Sequence, residues 1–279
     1  MRIATFFGIP LYLHWSWFLI MAYVTLMGWL SALVTFAVFF FVLLHEYGHC
    51  FAAKYYGLEV TDITLYPIGG IARIPCLGNE NLWKRELVIA LAGPAVNIIL
   101  CGIATLVLLV LHGSGISEPV VNAVIGYTFV LNLILAVFNL LPIFPMDGGR
   151  VLRASLYGIM QDYERSTEIA VRIGQGLAGG MVLLAVATGN VFMGIIFLLV
   201  CLGAQAELLQ VKRQVSLERL KAHLAKELER PELKDVSLPQ LIAVLEDVED
   251  EELRRGMSLV YLLPMLKQQL ASQQNQQNS

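Results

Sequence analysis

The chain has 279 residues, of which 57% are apolar and 15% charged, with a net charge of −3. A soluble domain is about 45–50% apolar and about 25% charged, so a mean hydropathy of +0.67 excludes a disordered or collagen-like chain and argues against an ordinary soluble enzyme. The charge is uneven: residues 1–206 hold 9 Lys/Arg and 10 Asp/Glu, whereas residues 207–279 hold 10 and 12.

No charged residue lies between Arg2 and Glu46. A bilayer core takes about 20 apolar residues per helix, so this stretch holds two spans, near 11–28 and 30–56, turning at Gly28. It is several times longer than the apolar region of a signal peptide. Val60–Leu77 is too polar to span. Val60–Tyr66 is rich in β-formers, Pro67–Gly70 reads as a turn, and Ile71–Pro75 as a returning strand. Backbone edges cannot face lipid unsatisfied, so this hairpin is expected against protein or a wet cavity. Its free edge near Ile63 and Leu65 is the expected place for an extended substrate to add as a strand.

Further spans are expected near 87–112, 119–141, 168–188 and 190–206. Gly176 and Gly180 mark an expected helix-packing face. With the N-terminus in the cytoplasm, the outside turns near 28–30, 112–119 and 188–191 contain no Lys or Arg. The positive-inside rule therefore favours six spans with both termini cytoplasmic. The fold class is an α-helical polytopic membrane protein with a small membrane-associated β-hairpin and a short helical soluble tail. Residues 1–206 form the membrane domain and 207–272 a cytoplasmic helical tail, with Leu217, Leu220 and Leu224 at helical spacing. Residues 273–279 are a polar, disordered end. No basic patch points to nucleic acid, and Cys50, Cys76, Cys101 and Cys201 form no C-x-x-C pair.

The chemistry lies in His45-Glu46-Tyr47-Gly48-His49. His45 and His49 are i and i+4, so both imidazoles leave one helix face at the spacing of two ligands to one Zn²⁺. Glu46 sits about 100° around the helix, placed to act as general base on a water whose pKa the metal lowers. Two His and a Glu in one turn of an apolar helix are costly without a compensating partner, and a cation is the simplest. Catalytic zinc usually takes three protein ligands. Glu59, Glu80 and Glu86 are downstream candidates with ordinary solvated alternatives. Asp147 is the better one. It follows the fourth span within Asn139-Leu140-Leu141-Pro142-Ile143-Phe144-Pro145-Met146-Asp147-Gly148-Gly149, where two prolines break the helix and two glycines permit close backbone approach. Asn139 is a costly amide that either donates to a developing oxyanion or bonds a neighbouring helix. Asn97 has the same two readings. His14, beside Trp15 and Trp17, reads as a residue of an interfacial aromatic belt or as a gate near the metal.

The chain resembles the site-2 protease family of zinc intramembrane metalloproteases. The resemblance rests on His45–His49, on Asn139 to Gly149 as N-x-x-P-x-x-x-x-D-G-G, on Gly93-Pro94-Ala95-Val96-Asn97 as G-x-x-x-N, and on Pro67-Ile68-Gly69-Gly70. These motifs keep the family's order and cover roughly residues 8–206. The resemblance implies one Zn²⁺ per chain held by His45, His49 and Asp147, with Glu46 and Asn139 catalytic and Asn97 near the site. It implies a transmembrane protein as substrate, cut in or near its span, in a bacterial-type plasma membrane or a plastid membrane. The alternatives are a membrane zincin with a Glu ligand and a zinc transporter. The transporter is disfavoured because Cys50, not a second Glu, follows His49.

Overall fold

The computed structural model describes residues 2–66, 69–72, 82–115 and 118–228. Glu80, Cys76, the end of the expected returning strand and the tail beyond 228 lie outside the described residues. The chain divides into two units, Met1–Leu208 and Leu209–Ser279.

The chain opens with a hairpin where a membrane helix was expected from residue 11. Strands β1 (Arg2–Phe6) and β2 (Ile9–Leu13) pair antiparallel. Their turn puts Phe7 at φ 53° and Gly8 at φ 76°, the left-handed pair that a two-residue hairpin turn requires. Phe at the first of these positions hides the turn from sequence. In β2 the side chains of Ile9, Leu11 and Leu13 are buried. Intervening Pro10 and Tyr12 are half-buried, so the strand has a period of two. A short, wholly apolar run like this cannot be told from helix by periodicity.

Helices α1 (Trp15–Leu26) and α2 (Trp29–Tyr55) follow, separated at Gly28, whose φ is 131°. The His14 ring accepts from the Ser16 amide as the cap of α1. At 12 residues, α1 rises about 18 Å, short of a hydrocarbon core of about 30 Å.

Strands β3 (Ile63–Tyr66) and β4 (Gly69–Ala72) form the expected hairpin. Strand β2 pairs parallel with β3, with Leu11 opposite Ile63 and Leu13 opposite Leu65. The sheet order is β1-β2-β3-β4. Strand β3 is therefore internal, and Ile63 and Leu65 are buried in the core. This corrects the expectation of a free edge there; the outer strands are β1 and β4. The inner face of the sheet packs Ile9, Leu11, Leu13, Ile63 and Leu65 against Tyr47 and Cys50 of α2. The protein thus covers the sheet, as an irregular segment beside lipid requires.

The remaining helices are α3 (Leu82–Gly113), α4 (Pro119–Asn139), α5 (Asp147–Met160), α6 (Tyr163–Ala187) and α7 (Val191–Leu228). Among the described residues, α2, α3, α4, α6 and α7 are long and apolar enough to cross a membrane. Their outer faces leave side chains such as Leu33, Phe36, Ile99, Leu109, Val124 and Leu183 exposed, a surface far too apolar for water. The protein is a polytopic helical membrane protein. Helix α5 has no counterpart in the sequence reading, because its first turn, Asp147-Gly148-Gly149, is composed like a surface turn.

Small residues set the closest contacts. A Cβ at Gly48 of α2 would lie 2.7 Å from the Ala92 carbonyl oxygen of α3. Of the packing face expected in α6 from Gly176 and Gly180 with Ala178 and Gly179, Ala178 is fully buried against Ile143 and Phe197, whereas the three glycines face open space. Gly174 makes a close contact instead, with a Cβ position 3.0 Å from the Ile143 Cα.

Arg153 joins α5 to its neighbours although it is only 2% exposed. Its Nε donates to Glu86 Oε1 of α3 at 2.8 Å, and a terminal nitrogen donates to Glu207 Oε1 of α7 at 2.7 Å. The guanidinium lies 5.0 Å from the ring centres of both Phe144 and Tyr163. Burial works against its charge, but Glu86, with Tyr163 and Glu207, more than compensates, so its pKa lies above the ordinary arginine value. Arg153→Met leaves the Glu86 carboxylate buried without its cation and is expected to cost about 3–5 kcal/mol. Thermal unfolding in detergent measures this, and Glu86→Gln added to Arg153→Met is expected to restore much of the loss.

Candidate metal centre

The last third of α2 changes character. Its first half turns Trp29, Leu30, Leu33 and Phe36 outward, whereas His45, Tyr47, Gly48, His49, Cys50 and Ala53 are buried. The two imidazoles emerge on the face that meets α3. Gly93 of α3 lies against them: a Cβ there would collide with His49 and sit 2.6 Å from His45 Nε2. Glycine lets α3 close directly on the two ring nitrogens, where any side chain would clash.

Asp147 arrives from the far side of the sequence. After α4 the chain runs irregularly through Leu140–Met146. Ile143 packs with Ala178 and Phe197, and Phe144 packs with Ala170, Val171 and Ala204. Helix α5 then starts tightly, because a Cβ at Gly148 would collide with the Leu140 and Leu141 carbonyls and one at Gly149 would lie 2.8 Å from the Phe144 nitrogen. Asp147 is the first residue of α5, where the helix dipole favours a carboxylate.

These elements bring His45, His49 and Asp147 together, with one ligand atom from each lying within 4.8 Å of the others. Asp147 Oδ2 is 3.0 Å from His45 Nε2 and 3.2 Å from His49 Nε2, and the two Nε2 atoms are 3.0 Å apart. All three side chains are buried. His49 Nδ1 lies 2.7 Å from the Ile89 carbonyl oxygen, which can only accept, so Nδ1 carries a proton and Nε2 is the nitrogen turned towards the cluster. Two imidazole nitrogens and a carboxylate oxygen thus converge on one point. A proton can bridge one of these contacts, whereas a divalent cation satisfies all three. This N₂O donor set fits a catalytic zinc ion, which takes three protein ligands and keeps a fourth position for water.

Glu46 lies within electrostatic reach of His49, His45, Asp147 and Arg150. Among the described residues, the other two candidate carboxylates are engaged or exposed. Glu86 is held by Arg153, and Glu59 is exposed. Asn97 is fully buried and joins the cluster through His45 Nδ1, 2.5 Å from its Oδ1. Asn139 is not brought to the three ligands by a hydrogen bond of its amide nitrogen, which donates to the Leu135 carbonyl one turn back on α4 at 3.0 Å. The His14 ring contacts Ser16 and Trp15 at the start of α1. The sequence reading missed Asn132, a fully buried amide that accepts from Asn97 at 2.8 Å. Its signal was present: it is an amide in an apolar span, two turns before Asn139 on nearly the same face.

The profile of Peptidase family M50 matches residues 33–125 and 114–184. The chain belongs to this family. A zinc metalloprotease of Methanocaldococcus jannaschii is 35% identical over 261 residues, covering 90% of this chain and 70% of the relative. A relative from Synechocystis sp., provisionally named a zinc metalloprotease, is 35% identical over 243 residues, covering 77% of this chain and 62% of its own length. The solved structure of the site-2 protease from Methanocaldococcus jannaschii superposes with a TM-score of 0.56 at 34% identity, covering 74% of this chain and 94% of that one. This M50 peptidase is therefore a zinc metalloprotease of the site-2 protease type and an integral, multi-pass membrane protein. The transporter alternative has no support among these relatives.

The close contact at Gly93 gives a test of this M50 site. Gly93→Ala places a methyl group against both Nε2 atoms, and zinc affinity is expected to fall roughly tenfold or more. Competition with a chromophoric chelator measures the affinity. The thermal unfolding temperature of the same sample is expected to fall as well, because the methyl collides with the buried His49 ring at the α2–α3 contact.

Proposed function

We propose that this chain binds one Zn²⁺ through His45, His49 and Asp147 and hydrolyses a peptide bond in or near a transmembrane segment of another protein, with Glu46 as general base. The observation that carries this reading is the convergence of two imidazole nitrogens and one carboxylate oxygen at a buried point, one residue from Glu46. Bound there, zinc supplies Lewis acidity and lowers the pKa of a water molecule towards about 7. His45 and His49 offer neutral nitrogens and Asp147 a negative charge. Glu46 leaves the helix to one side of the imidazoles, so it takes the proton from the attacking water and returns it to the leaving amine. Asn139 stabilises the developing oxyanion in this reading, for which its amide must exchange the bond to Leu135 for one to substrate.

The substrate is a membrane-tethered protein whose span unwinds locally before its carbonyl reaches the metal. Strand β3 is paired on both sides, so an extended substrate segment would add to an outer strand instead. Both termini lie on the cytoplasmic side in this proposal, in a bacterial-type plasma membrane or a plastid membrane. Supporting the N-terminal assignment, β1 and β2 share one sheet with β3 and β4, which lie between α2 and α3 on the side of Lys54, Lys84 and Arg85. Helix α1 then leads away from that side to the turn at Gly28. Residues 1–206 act as the peptidase domain and the remainder as a cytoplasmic tail.

The first experiment is zinc per purified chain for wild type, Asp147→Ala and Glu46→Gln. Wild type is expected to hold about one zinc, the number three ligands of one site require; Asp147→Ala is expected to lose it and Glu46→Gln to keep it while losing cleavage. Retained zinc in Asp147→Ala would remove Asp147 from the ligand set and favour a Glu-ligand zincin. For Asn139→Ala, kcat is expected to fall about 10²-fold, the size of a lost oxyanion donor, with zinc unchanged. An unchanged kcat would leave Asn139 as a helix-packing amide.

A further inference from the structure

Three helices are joined by a line of polar groups that ends at the metal cluster. Asn132 Nδ2 of α4 donates to the Thr128 carbonyl oxygen at 2.8 Å. Asn132 Oδ1 accepts from Asn97 Nδ2 of α3 at 2.8 Å. Asn97 Oδ1 meets His45 Nδ1 of α2 at 2.5 Å. Both amides are fully buried, each 0% exposed, within spans where an unpaired amide is costly.

The polarity of this line is fixed from one end. A backbone carbonyl can only accept, so the nitrogen of Asn132 must face Thr128. Its oxygen then faces Asn97, and an amide oxygen also only accepts, so Asn97 must turn its nitrogen to Asn132. That leaves Asn97 Oδ1 facing His45. His45 Nδ1 must carry a proton, so Nε2, directed at Asp147 and His49, is the nitrogen left to bind zinc. From this we propose that Asn132, which touches neither metal nor substrate, is a positioning residue: it orients the Asn97 amide and so locks His45 in the tautomer that can bind zinc through Nε2. Without Asn132, the Asn97 amide is free to rotate by half a turn. Its nitrogen then donates to His45 Nδ1, and the ring moves its proton to Nε2, where it blocks coordination. His49 needs no such relay, because its Nδ1 meets the Ile89 backbone carbonyl directly. The inference rests on the proposed His45–His49–Asp147 zinc site.

The test measures zinc affinity of the full chain in detergent, by chelator competition, for wild type, Asn132→Leu, Asn97→Leu and the double variant. Asn132→Leu is expected to weaken zinc about tenfold or more, the scale for a group that orients a ligand. Because Asn132 acts through Asn97, the double variant is expected to match Asn97→Leu within about twofold. Wild-type affinity in Asn132→Leu overturns the relay, as does a double variant that loses the product of the single effects. The second result would mark Asn132 as a packing residue with its own independent cost. Nitrogen-15 NMR of zinc-loaded wild type, labelled at histidine, needs no variant to fold. It is expected to show His45 protonated at Nδ1 and coordinated at Nε2; the reverse assignment ends the proposal. Wild type that takes up no zinc removes both this inference and the metal site. Zinc in wild type with an indifferent Asn132→Leu removes this inference alone.

Discussion

Two imidazole nitrogens and a carboxylate oxygen, each with a lone pair directed at the same point, repel one another unless a cation lies between them. In a buried site with few water molecules to screen it, that repulsion is severe. The protein nevertheless holds His45, His49 and Asp147 with ligand atoms 3.0–3.2 Å apart. Much of the surrounding structure serves to hold that arrangement. Gly48 lets α2 approach α3, Gly93 lets α3 close on the ring nitrogens, and the Gly148-Gly149 pair lets α5 begin close to the end of α4.

The support is graded from backbone to side chain. His49 is oriented by a main-chain carbonyl, which cannot rotate. His45 is oriented by a side-chain amide, which can, and that amide is itself held by Asn132. Asp147 is positioned by an entire segment: Ile143 and Phe144 anchor it among α6 and α7, and Arg153, two turns further along α5, ties the same helix to Glu86 and Glu207. A ligand brought by an irregular stretch needs such bracing. Loss of a group that orients a metal's ligand typically costs about 10–100-fold in affinity or activity.

The sheet solves a different problem. A peptide-cleaving site beside lipid needs polar backbone near it, yet lipid tolerates none unpaired. Packing Ile9, Leu11, Leu13, Ile63 and Leu65 onto Tyr47 and Cys50 covers one face of the sheet with the metal helix itself. The outer strands β1 and β4 are where further pairing can occur.

Sequence alone determined the class of protein and pointed to a candidate zinc site. Apolar composition and span length dictate a helical membrane protein, because the bilayer sets both. His45, Glu46 and His49 were legible because their relation is local: helix geometry alone puts i and i+4 on one face. Asp147 was legible through an adjacent pair of glycines and two prolines, a local break in an apolar chain. Tertiary structure decided what depended on distant partners. The β1–β2 hairpin was hidden because a short apolar strand, with Phe7 in the turn, has no pattern separating it from a helix. The internal position of β3 depended on β2 arriving from fifty residues earlier in the chain. Glu86 looked like a possible ligand until Arg153 was seen to hold it. Asn97 and Asn132 were only two amides in two apolar spans until helix packing set them in line with His45, a line invisible along the chain.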